Sequence, residues 1–359
     1  MKIAFLINNL GSGGAEKLLL DICIELKKKS VQFDVFTLTE SYIYINDFKN
    51  NGIEIKSLSL INSPFDPMIL PFLLKKLENY NIFHVHLFPS FYWAALVSLF
   101  NNEIRIICTE HNSNNNRRKR KFFPFEKFAY SRMSQAIAIS PSSYSSAIKW
   151  MPLLNDKICL IPNGIVLNNF YNATPTSPEV FGFSSKDIII SCVARLRFPK
   201  DHHTLIKALK FLPSEYKLVI AGEGPQLNEL VSLSSSYNIN DRINFAGFCK
   251  DIAGLYKLSR VNVLATESEG FGLVAVEAMA SGTPFIGSDL EVLKWVAGDA
   301  GIFFQNGNSV QLAEKIRMTC ENEAFRKEII AKGYENAKRF SIETMAEKHI
   351  ELYKKLLEE

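Results

Sequence analysis

Two kinds of segment alternate along most of this 359-residue chain, and that alternation constrains its fold more than any other feature. Short apolar runs are followed by longer stretches whose apolar residues recur at helical spacing. Strand followed by helix, repeated many times, is typical of parallel β-sheets, because parallel strands need a crossover connection. The strand-like runs of the first half are residues 2–7, 32–38, 53–58, 82–87, 105–109, 136–140 and 158–162, and its strongest helical stretches follow Gly14, Asp66, Pro89 and Pro141. After a polar, turn-rich stretch at 168–178 the runs resume at 187–194, 216–222, 242–247, 261–266, 284–288 and 301–304.

This pattern predicts an α/β protein made of two Rossmann-like, doubly wound domains that face a cleft. A chain of 359 residues is longer than one hydrophobic core usually organises. Residues 1–167 would form the N-terminal domain and residues 168–340 the C-terminal domain. The helical stretch 341–359 has no strand to accompany it, so we expect it to pack back on the first domain. Open parallel sheets bind ligands beyond the carboxyl ends of their strands, so the loops after the strands are the expected site.

Composition excludes several classes of protein. Hydrophobic residues make up 47% of the chain, enough for two cores, and the net charge of +4 is too small to indicate nucleic-acid binding. No apolar run approaches the length of a membrane span. The few apolar residues before Asn8 are too short for a signal peptide and favour a first strand. Six cysteines stand singly, which is typical of reduced thiols in a cytoplasmic protein.

A glutamate inside an apolar run is the most informative local feature. Glu277 lies in LVAVEAMA, eight residues after Glu269 and beyond a glycine-containing turn. Burying an unpaired carboxylate there would cost several kcal/mol, so Glu277 needs a partner, either a structural Arg or Lys or a ligand with hydroxyl groups. Free N–H groups at the start of the helix favour a phosphate, and Glu277 lies roughly 8 Å along the helix from Gly272. A diphosphate at the turn could then place a sugar by Glu269 and a ribose by Glu277, which predicts a nucleotide-sugar site; a tight structural turn is the alternative.

These residues also carry a family resemblance. Glu269 and Glu277, with GFGL and EAMASGTP, resemble the E-x7-E signature of retaining glycosyltransferases of the GT-B fold, family 4 (glycosyl transferases group 1). The resemblance covers nearly the whole chain and is densest over 266–288. It implies that Glu269 contacts donor-sugar hydroxyls as a catalytic residue, that backbone amides of the turn bind the diphosphate, and that Glu277 holds the ribose. The implied donor-binding residues of this segment are Glu269, Gly270, Phe271, Gly272, Leu273 and Glu277.

A nucleoside diphosphate leaving group needs cations or a metal to balance its charge. The chain has no DxD motif and no cluster with metal-ligand spacing, so we expect neither a metal nor another cofactor. The family pattern of an Arg and a Lys five residues apart matches Arg195 and Lys200, which the resemblance implies grip the diphosphate as donor-binding and catalytic residues. Solvated surface cations are the alternative for such a loop, and Arg197 matches no family position. Gly222 and Gly224, in AGEGP, resemble the family's second glycine turn beside the nucleotide, and the following segment 247–256 lies where the family recognises the base.

The first half carries a second glycine loop and a candidate histidine. GSGGAE resembles the family's N-terminal glycine loop, which implies that Gly13 and Gly14 contact the donor; a dinucleotide-binding fold would need a glycine where Glu16 stands. CTEHN predicts His111 at the carboxyl end of a strand. The family often has a histidine there near donor sugar and acceptor, which implies a catalytic role, and a structural histidine is the alternative. His84 and His86 alternate along one strand, so we expect at most one of them to face the cleft and interpret both as structural.

The only dense basic run of the chain, RRKRK, precedes several phenylalanines. A flexible loop of this composition could adhere to an anionic lipid leaflet, each cation contributing about 1 kcal/mol near the surface. An ordinary exposed loop is the alternative. The side chains expected to touch the membrane are Arg117, Arg118, Lys119, Arg120, Lys121, Phe122 and Phe123.

Taken with the resemblance, the sequence predicts a metal-independent glycosyltransferase of the hexosyltransferase type, cytoplasmic and at the inner face of the cell membrane. The donor would be a nucleotide sugar, with UDP favoured. The acceptor would be a glycan or lipid-linked glycan of a bacterial surface polysaccharide, such as O-antigen, capsule or a related polymer. The alternatives are a nucleotide-sugar epimerase or phosphorylase of the same fold, and a non-catalytic scaffold that binds nucleotide sugar or membrane.

Overall fold

The structure of the protein, a computed structural model, describes residues 1–11, 13–40, 43–111 and 117–358. The chain divides into two compact units. Unit 1 comprises Met1–Gly164 together with Ile342–Glu359, and unit 2 comprises Ile165–Ser341. The division after Gly164 falls close to the one expected after residue 167.

Unit 1 is a parallel sheet covered by helices. Its seven strands are arranged in the order β3-β2-β1-β4-β5-β6-β7, and every pairing in the sheet is parallel. The chain winds to one edge, returns to the middle and winds to the other edge, so the direction switches between β1 and β4. The strands of unit 1 are β1 (Lys2–Ile7), β2 (Gln32–Thr37), β3 (Ile55–Ser57), β4 (Ile82–His86), β5 (Arg105–Glu110), β6 (Gln135–Ala138) and β7 (Ile158–Leu160). With helices numbered along the chain, those of unit 1 are α1 (Gly14–Lys28), α2 (Ile45–Asn50), α3 (Ile69–Leu77), α4 (Ser90–Val97), α5 (Phe123–Ser131), α6 (Pro141–Trp150) and α15 (Ile342–Glu358).

Unit 2 repeats this plan with six parallel strands in the order β10-β9-β8-β11-β12-β13. The winding direction switches between β8 and β11. The strands are β8 (Ile188–Val193), β9 (Tyr216–Ala221), β10 (Ile243–Gly247), β11 (Val261–Leu264), β12 (Phe285–Ser288) and β13 (Gly301–Phe304). The helices are α7 (Leu167–Tyr171), α8 (His202–Leu209), α9 (Leu227–Ser236), α10 (Ile252–Leu258), α11 (Leu273–Ala280), α12 (Glu291–Ala297), α13 (Ser309–Glu321) and α14 (Glu323–Ala337).

The sequence-predicted strands and the fold class are confirmed. Each expected apolar run overlaps one observed strand, with ends that differ by a few residues at most. The central strands are buried along their whole length, as in β4 and β11, because helices cover both faces of the sheet. Such strands therefore show as continuous apolar runs in the sequence.

The C-terminal helix α15 belongs to unit 1. It packs against α1, and its Tyr353 and His349 are buried in that unit. Ion pairing between Lys29 and Glu347 adds a surface contact at 3.0 Å. Among the described residues, none of the helices combines the length and the apolar character that a membrane-spanning segment requires.

Candidate functional site

The switch point of unit 2 joins the two loops that carry most of the sequence-predicted site residues. The loops after β8 and β11 leave neighbouring strands at the edge where open parallel sheets bind ligands. Backbone hydrogen bonds connect them: the Asp201 N–H donates to the Ala265 carbonyl at 3.0 Å, and the Glu267 N–H donates to the Pro199 carbonyl at 2.9 Å. These hydrogen bonds therefore hold the loop of Arg195 and Lys200 beside the loop of Glu269.

Lys200 and Glu269 are in direct contact at this switch point. The ammonium group of Lys200 forms an ion pair with one carboxylate oxygen of Glu269. The other oxygen accepts a hydrogen bond from the Gly270 N–H at 3.1 Å. The two side chains are only 18% and 19% exposed, so each charge offsets the desolvation of the other. This is a pair of opposite charges at the rim of a sheet, within reach of a ligand that carries both hydroxyl and phosphate groups.

Gly272 is the N-cap residue of α11. Its φ is +96°, and a Cβ atom there would lie 2.6 Å from Cδ2 of Leu293, so only glycine fits without a shift. Gly272 has no side chain that could cap the helix, and the first N–H groups of α11 begin at Leu273. Preceding it, Phe271 is buried with its ring against Trp295 and Phe340. The turn is thus anchored by an aromatic cluster and ends in a glycine-lined helix N-terminus, which suits an anion.

Glu277 lies on α11 and is partly buried rather than enclosed on all sides. Its carboxylate accepts a hydrogen bond from the Tyr256 hydroxyl at 3.0 Å. The expected partners were a structural cation or a ligand, and the structure adds a third kind, a buried phenol from α10. Burial, together with the neighbouring carboxylate, raises the pKa of Tyr256 well above its ordinary value, so the phenol keeps its proton and remains a donor. Sequence reasoning missed Tyr256 because a tyrosine in an apolar helix is typical of ordinary core packing.

The loop after β8, which carries Arg195 and Lys200, contacts a buried histidine. Arg195 is exposed at the surface. Its carbonyl lies 3.1 Å from Nε2 of His202, which is buried at the start of α8. Glycines hold the loop from the other side, since a Cβ atom on Gly222 would lie 2.0 Å from the Ala194 carbonyl oxygen and one on Gly224 would lie 2.3 Å from that of Leu196. These glycines therefore permit close approach of two backbone segments beside Arg195.

A cavity of about 480 Å³ lies against the edge strand β10 of the same unit. Asn244 and Phe245 line it from the strand, and Phe248, Lys250 and Asp251 line it from the following loop. This loop is part of the segment 247–256 that sequence reasoning associated with base recognition. Asp251 also caps α10, accepting a hydrogen bond from the Gly254 N–H at 2.9 Å.

The switch point of unit 1 carries the N-terminal glycine loop. Gly13 caps α1 and Gly14 is its first residue. A Cβ atom on Gly13 would lie 2.0 Å from a carboxylate oxygen of Glu16, so this acid folds back over the first turn of the helix. An acid in the first turn is favoured by the helix dipole. At the end of the neighbouring strands, the Ser90 hydroxyl donates to the side-chain oxygen of Asn8 at 2.9 Å and joins the loops after β1 and β4.

Four histidines and a tyrosine cluster in unit 1. His84 and His86 lie on the same face of β4, with ring centroids 4.4 Å apart. The two rings therefore do not alternate across the strand, because side chains two residues apart on a strand point the same way. Only His86 lies at the carboxyl end of β4, and that at most one of the two faces the ligand edge stays a prediction. His84 lies 2.7 Å from the hydroxyl of Tyr353 and 2.7 Å from that of Thr109. The His349 ring, on α15, stacks on His84 with a centroid distance of 5.7 Å.

His111 follows β5 and contacts this cluster. Its Nε2 atom lies 3.1 Å from Nδ1 of His86. Burial lowers the pKa of His111 to about 4 and that of His349 to about 4, and it lowers the pKa of His84 and of His86 well below the ordinary value. All four rings are consequently neutral near pH 7. His111 as a residue stays partly exposed, and Nδ1 is the ring nitrogen that does not face His86.

The basic run differs from the expected loop of five solvated cations. Residues 112–116 of that loop lie outside the described residues. Arg117 pairs with the buried Glu126 at 2.9 Å, and Arg118 pairs with the buried Glu110 at 3.3 Å. These two arginines are only 20% and 10% exposed, which corrects their assignment to a membrane-facing surface, because a buried carboxylate needs a compensating cation. The outward-facing part of the run is Lys119, Arg120 and Lys121, followed by the partly buried Phe122 and the exposed Phe123.

Comparisons with known proteins agree with this architecture. The family model described as "Glycosyl transferases group 1" matches residues 174–336, and the model described as "Glycosyltransferase Family 4" matches residues 12–169. The putative glycosyltransferase EpsF of Bacillus subtilis (strain 168) is 26% identical over 319 residues, which cover 83% of this chain and 81% of EpsF. A Campylobacter jejuni protein, "GalNAc-alpha-(1->4)-GalNAc-alpha-(1->3)-diNAcBac-PP-undecaprenol alpha-1,4-N-acetyl-D-galactosaminyltransferase", is 25% identical over 378 aligned positions, with 98% of each chain covered.

Solved structures share the fold. Anabaena Alr3699/HepE in complex with UDP-glucose superposes with a TM-score of 0.87 at 21% identity, over 99% of this chain and 100% of HepE. WaaG, a glycosyltransferase involved in lipopolysaccharide biosynthesis, gives a TM-score of 0.76 at 14% identity, over 98% of this chain and 99% of WaaG. Because the sequence identities are below 25%, this structural similarity establishes only the fold of the two units.

Proposed function

Because the chain belongs to glycosyltransferase family 4 and is a GT-B transferase enzyme, we propose that it is a retaining hexosyltransferase that uses a UDP-sugar. The proposed acceptor is a hydroxyl of a lipid-linked glycan in the synthesis of a bacterial surface polysaccharide. The observation that carries the donor assignment is the contact between Lys200 and Glu269 beside the glycine-lined N-terminus of α11. A cation, an acid and free backbone N–H groups at one strand edge match a sugar joined to a diphosphate.

We assign the diphosphate to the start of α11, with Arg195 and Lys200 as its cations. Glu269 accepts hydrogen bonds from hydroxyls of the donor sugar, and Glu277 accepts them from the ribose. These assignments draw support from the distances involved, since Glu277 lies roughly 8 Å along the helix from Gly272, about the separation between a diphosphate and its ribose hydroxyls. The base would occupy the cavity against β10, whose lining includes the aromatic rings of Phe245 and Phe248.

The names of similar proteins favour UDP over other nucleotides. The HepE structures contain UDP, UDP with glucose, or UDP-glucose. An Escherichia coli relative, 25% identical over 280 residues and over 72% of each chain, is named "UDP-Gal:alpha-D-GlcNAc-diphosphoundecaprenol alpha-1,3-galactosyltransferase". Its name and that of the Campylobacter relative both specify acceptors on a polyprenyl diphosphate, which supports a lipid-linked acceptor here.

In the proposed reaction the bond between the anomeric carbon and the β-phosphate oxygen breaks while the acceptor oxygen bonds to the same face of that carbon. The acceptor proton passes to the departing phosphate oxygen, so no side chain has to act as general base. Arg195 and Lys200 balance the charge that develops on UDP, which leaves no requirement for a metal. His111 contributes as a neutral hydrogen-bonding group.

A membrane-facing surface would bring the enzyme to such an acceptor. We propose that Lys119, Arg120 and Lys121, with Phe122, Phe123 and the neighbouring exposed side chains of α5, contact the inner leaflet of the cell membrane. Phe125 is 64% exposed on that helix, and each of the three cations would contribute about 1 kcal/mol near an anionic surface. Replacing residues 119–121 by serine should reduce sedimentation with vesicles containing anionic lipid, whereas replacing Lys207, Lys210 and Lys327 of unit 2 should not. Equal binding by both variants would reject this surface.

The donor assignment is tested by ligand-dependent unfolding followed by turnover. A ligand that binds only the folded state raises its melting temperature with concentration. We expect UDP and one UDP-sugar to do so, and that sugar to be released from UDP only when a suitable acceptor is present. Glu269→Gln should bind UDP but lose about 100-fold or more in transfer, the scale for removing a charged contact to the transition state. Release of a rearranged nucleotide sugar would instead indicate an epimerase, and recovery of intact donor with the correct acceptor would indicate a scaffold.

A further inference from the structure

His86 carries no role in the reaction proposed above, yet it is the hydrogen-bond partner of His111. It is buried at the end of β4, and its Nδ1 atom lies 3.1 Å from Nε2 of His111. Both rings are neutral, so one nitrogen of this pair carries a proton and the other accepts it. Which ring donates decides what Nδ1 of His111 can do.

The surroundings of Nε2, the other ring nitrogen of His86, indicate which of the two histidines donates the hydrogen bond. Its Nε2 atom is buried and has no hydrogen-bond partner among the residues that the structure describes. The rings of His84 and Phe5 lie at centroid distances of 4.4 Å and 6.1 Å from that of His86 and are inclined to it by only 31° and 35°, so neither turns its face toward an N–H on Nε2. If His111 were the donor, the proton of His86 would reside on Nε2 as a buried, unsatisfied N–H, which costs about 1–3 kcal/mol. If His86 is the donor, Nε2 keeps only a lone pair, and the cost is smaller.

We propose that His86 is a positioning residue that donates its Nδ1 proton to Nε2 of His111 and thereby fixes His111 as the tautomer protonated on Nδ1. The consequence is a specific chemical property at the site. His111 then presents an N–H donor at Nδ1, because its only lone pair is occupied by His86. It can hold an anionic oxygen or a hydroxyl oxygen of a ligand, and it cannot act as a base toward the acceptor.

This inference rests on the proposed function only for the identity of the ligand. The donor character of His111 deepens that function, because the reaction proposed above needs groups that stabilise charge on the leaving phosphate and has no place for a side-chain base. The tautomer itself is a property of the free protein. It can therefore be measured without knowing sugar or acceptor.

The experiment is long-range ¹H–¹⁵N correlation NMR on protein with ¹⁵N-labelled histidine near pH 7, with signals assigned from single His→Asn variants. Both His86 and His111 should show the pattern of protonation on Nδ1. Protonation of His111 on Nε2, or a mixture of tautomers, would overturn the proposal even if the protein transfers sugar. The tautomers are read from the wild-type spectrum, and the variants serve only to assign its signals.

Two substitutions at His86 separate positioning from simple packing. The amide of His86→Asn can occupy the place of Nδ1 and donate to His111, whereas the amide of His86→Gln reaches only the place of Nε2. We expect H86N to keep the Nδ1 tautomer of His111 and H86Q to lose it. His349→Asn is the matched control, since His349 is buried in the same cluster and bonds to the Met345 carbonyl at 2.8 Å instead of to His111.

Turnover gives the second readout. With UDP-glucose as the donor probe, a glycan linked to a polyprenyl diphosphate as the acceptor probe and release of UDP as the signal, H86Q should lose about 10-fold in rate, the equivalent of one lost hydrogen bond of about 1.4 kcal/mol in the transition state. H86N and H349N should stay close to the wild type. Unchanged His111 protonation in H86Q, or equal losses in all three variants, would show that His86 does not position His111. Absence of UDP release from the wild type, with the expected tautomers, would count against the proposed function and leave this inference standing.

Discussion

The buried histidines make unit 1 sensitive to mild acid. His84, His86, His111 and His349 are neutral in the folded protein because burial lowers the pKa of each ring, to about 4 for His111 and for His349. In the unfolded chain the same rings titrate near pH 6.5. Below that value the unfolded state binds protons that the folded state does not, so the free energy of unfolding decreases as the pH falls. The loss begins near pH 6.5 and, for His111 and His349, continues until the folded rings accept protons near pH 4.

The size of the effect follows from the number of rings. Between about pH 7.5 and about pH 5.5, each histidine that stays neutral when folded lowers the free energy of unfolding by about 1.3 kcal/mol. Four such rings give a decrease of about 5 kcal/mol, a large part of the stability of a typical domain. This decrease is expected as long as the histidine pKa values in the folded protein stay below about 5. Between about pH 7.5 and about pH 5.5 only the unfolded chain then takes up protons.

The assay is urea denaturation followed by tryptophan fluorescence. The chain has three tryptophans, and Trp93 and Trp150 belong to unit 1 while Trp295 belongs to unit 2, so Trp295→Phe gives a probe of unit 1 alone. His84→Gln should reduce the pH dependence by about a quarter, since one of the four rings no longer titrates. His203→Gln, at a more exposed histidine of unit 2, should leave it unchanged. A change smaller than about 1 kcal/mol in the parent protein would refute the reasoning, because even one buried neutral ring exceeds it.

Three further outcomes are expected in unit 2. Lys200→Met should weaken UDP binding by about 10-fold or more through loss of a cation at the diphosphate, whereas Arg197→Met, at an exposed neighbour, should bind UDP within about 2-fold of the wild type by calorimetry. Gly272→Ala should destabilise unit 2 by about 2–4 kcal/mol in urea, combining left-handed strain with a close contact, while Gly182→Ala, which has φ +76° and open space around it, should cost only about 1 kcal/mol. Tyr256→Phe removes the hydroxyl that donates to the carboxylate on α11 and should raise the Kd for UDP by about 3–10-fold, and an unchanged Kd would separate that hydrogen bond from donor binding.

The order of strands and helices could be predicted from the sequence because strands that are buried on both faces consist mainly of apolar residues. β4 and β11 are buried at every position and apolar at most of them, and a run of that kind between turn residues has few other interpretations. Gly272 was readable for a similar reason, since a glycine between a strand and a helix indicates a backbone conformation that other residues avoid. The spacing of Glu269 and Glu277 indicated a ligand with two separated polar ends.

Contacts between residues far apart in the chain could not be read in this way. Tyr256 is a partner of Glu277, His86 a partner of His111, and the two arginines of the basic run are partners of buried glutamates. Each pair joins different helices, strands or loops, and its geometry depends on how those segments pack. The local pattern of apolar, glycine and acidic residues therefore specified the two parallel-sheet units and the turns that suit a nucleotide sugar. Packing of the folded chain decided which charges are paired, which histidines are neutral and which cations remain at the surface, because burial and hydrogen bonding at a side chain depend on neighbours that adjacent residues do not supply.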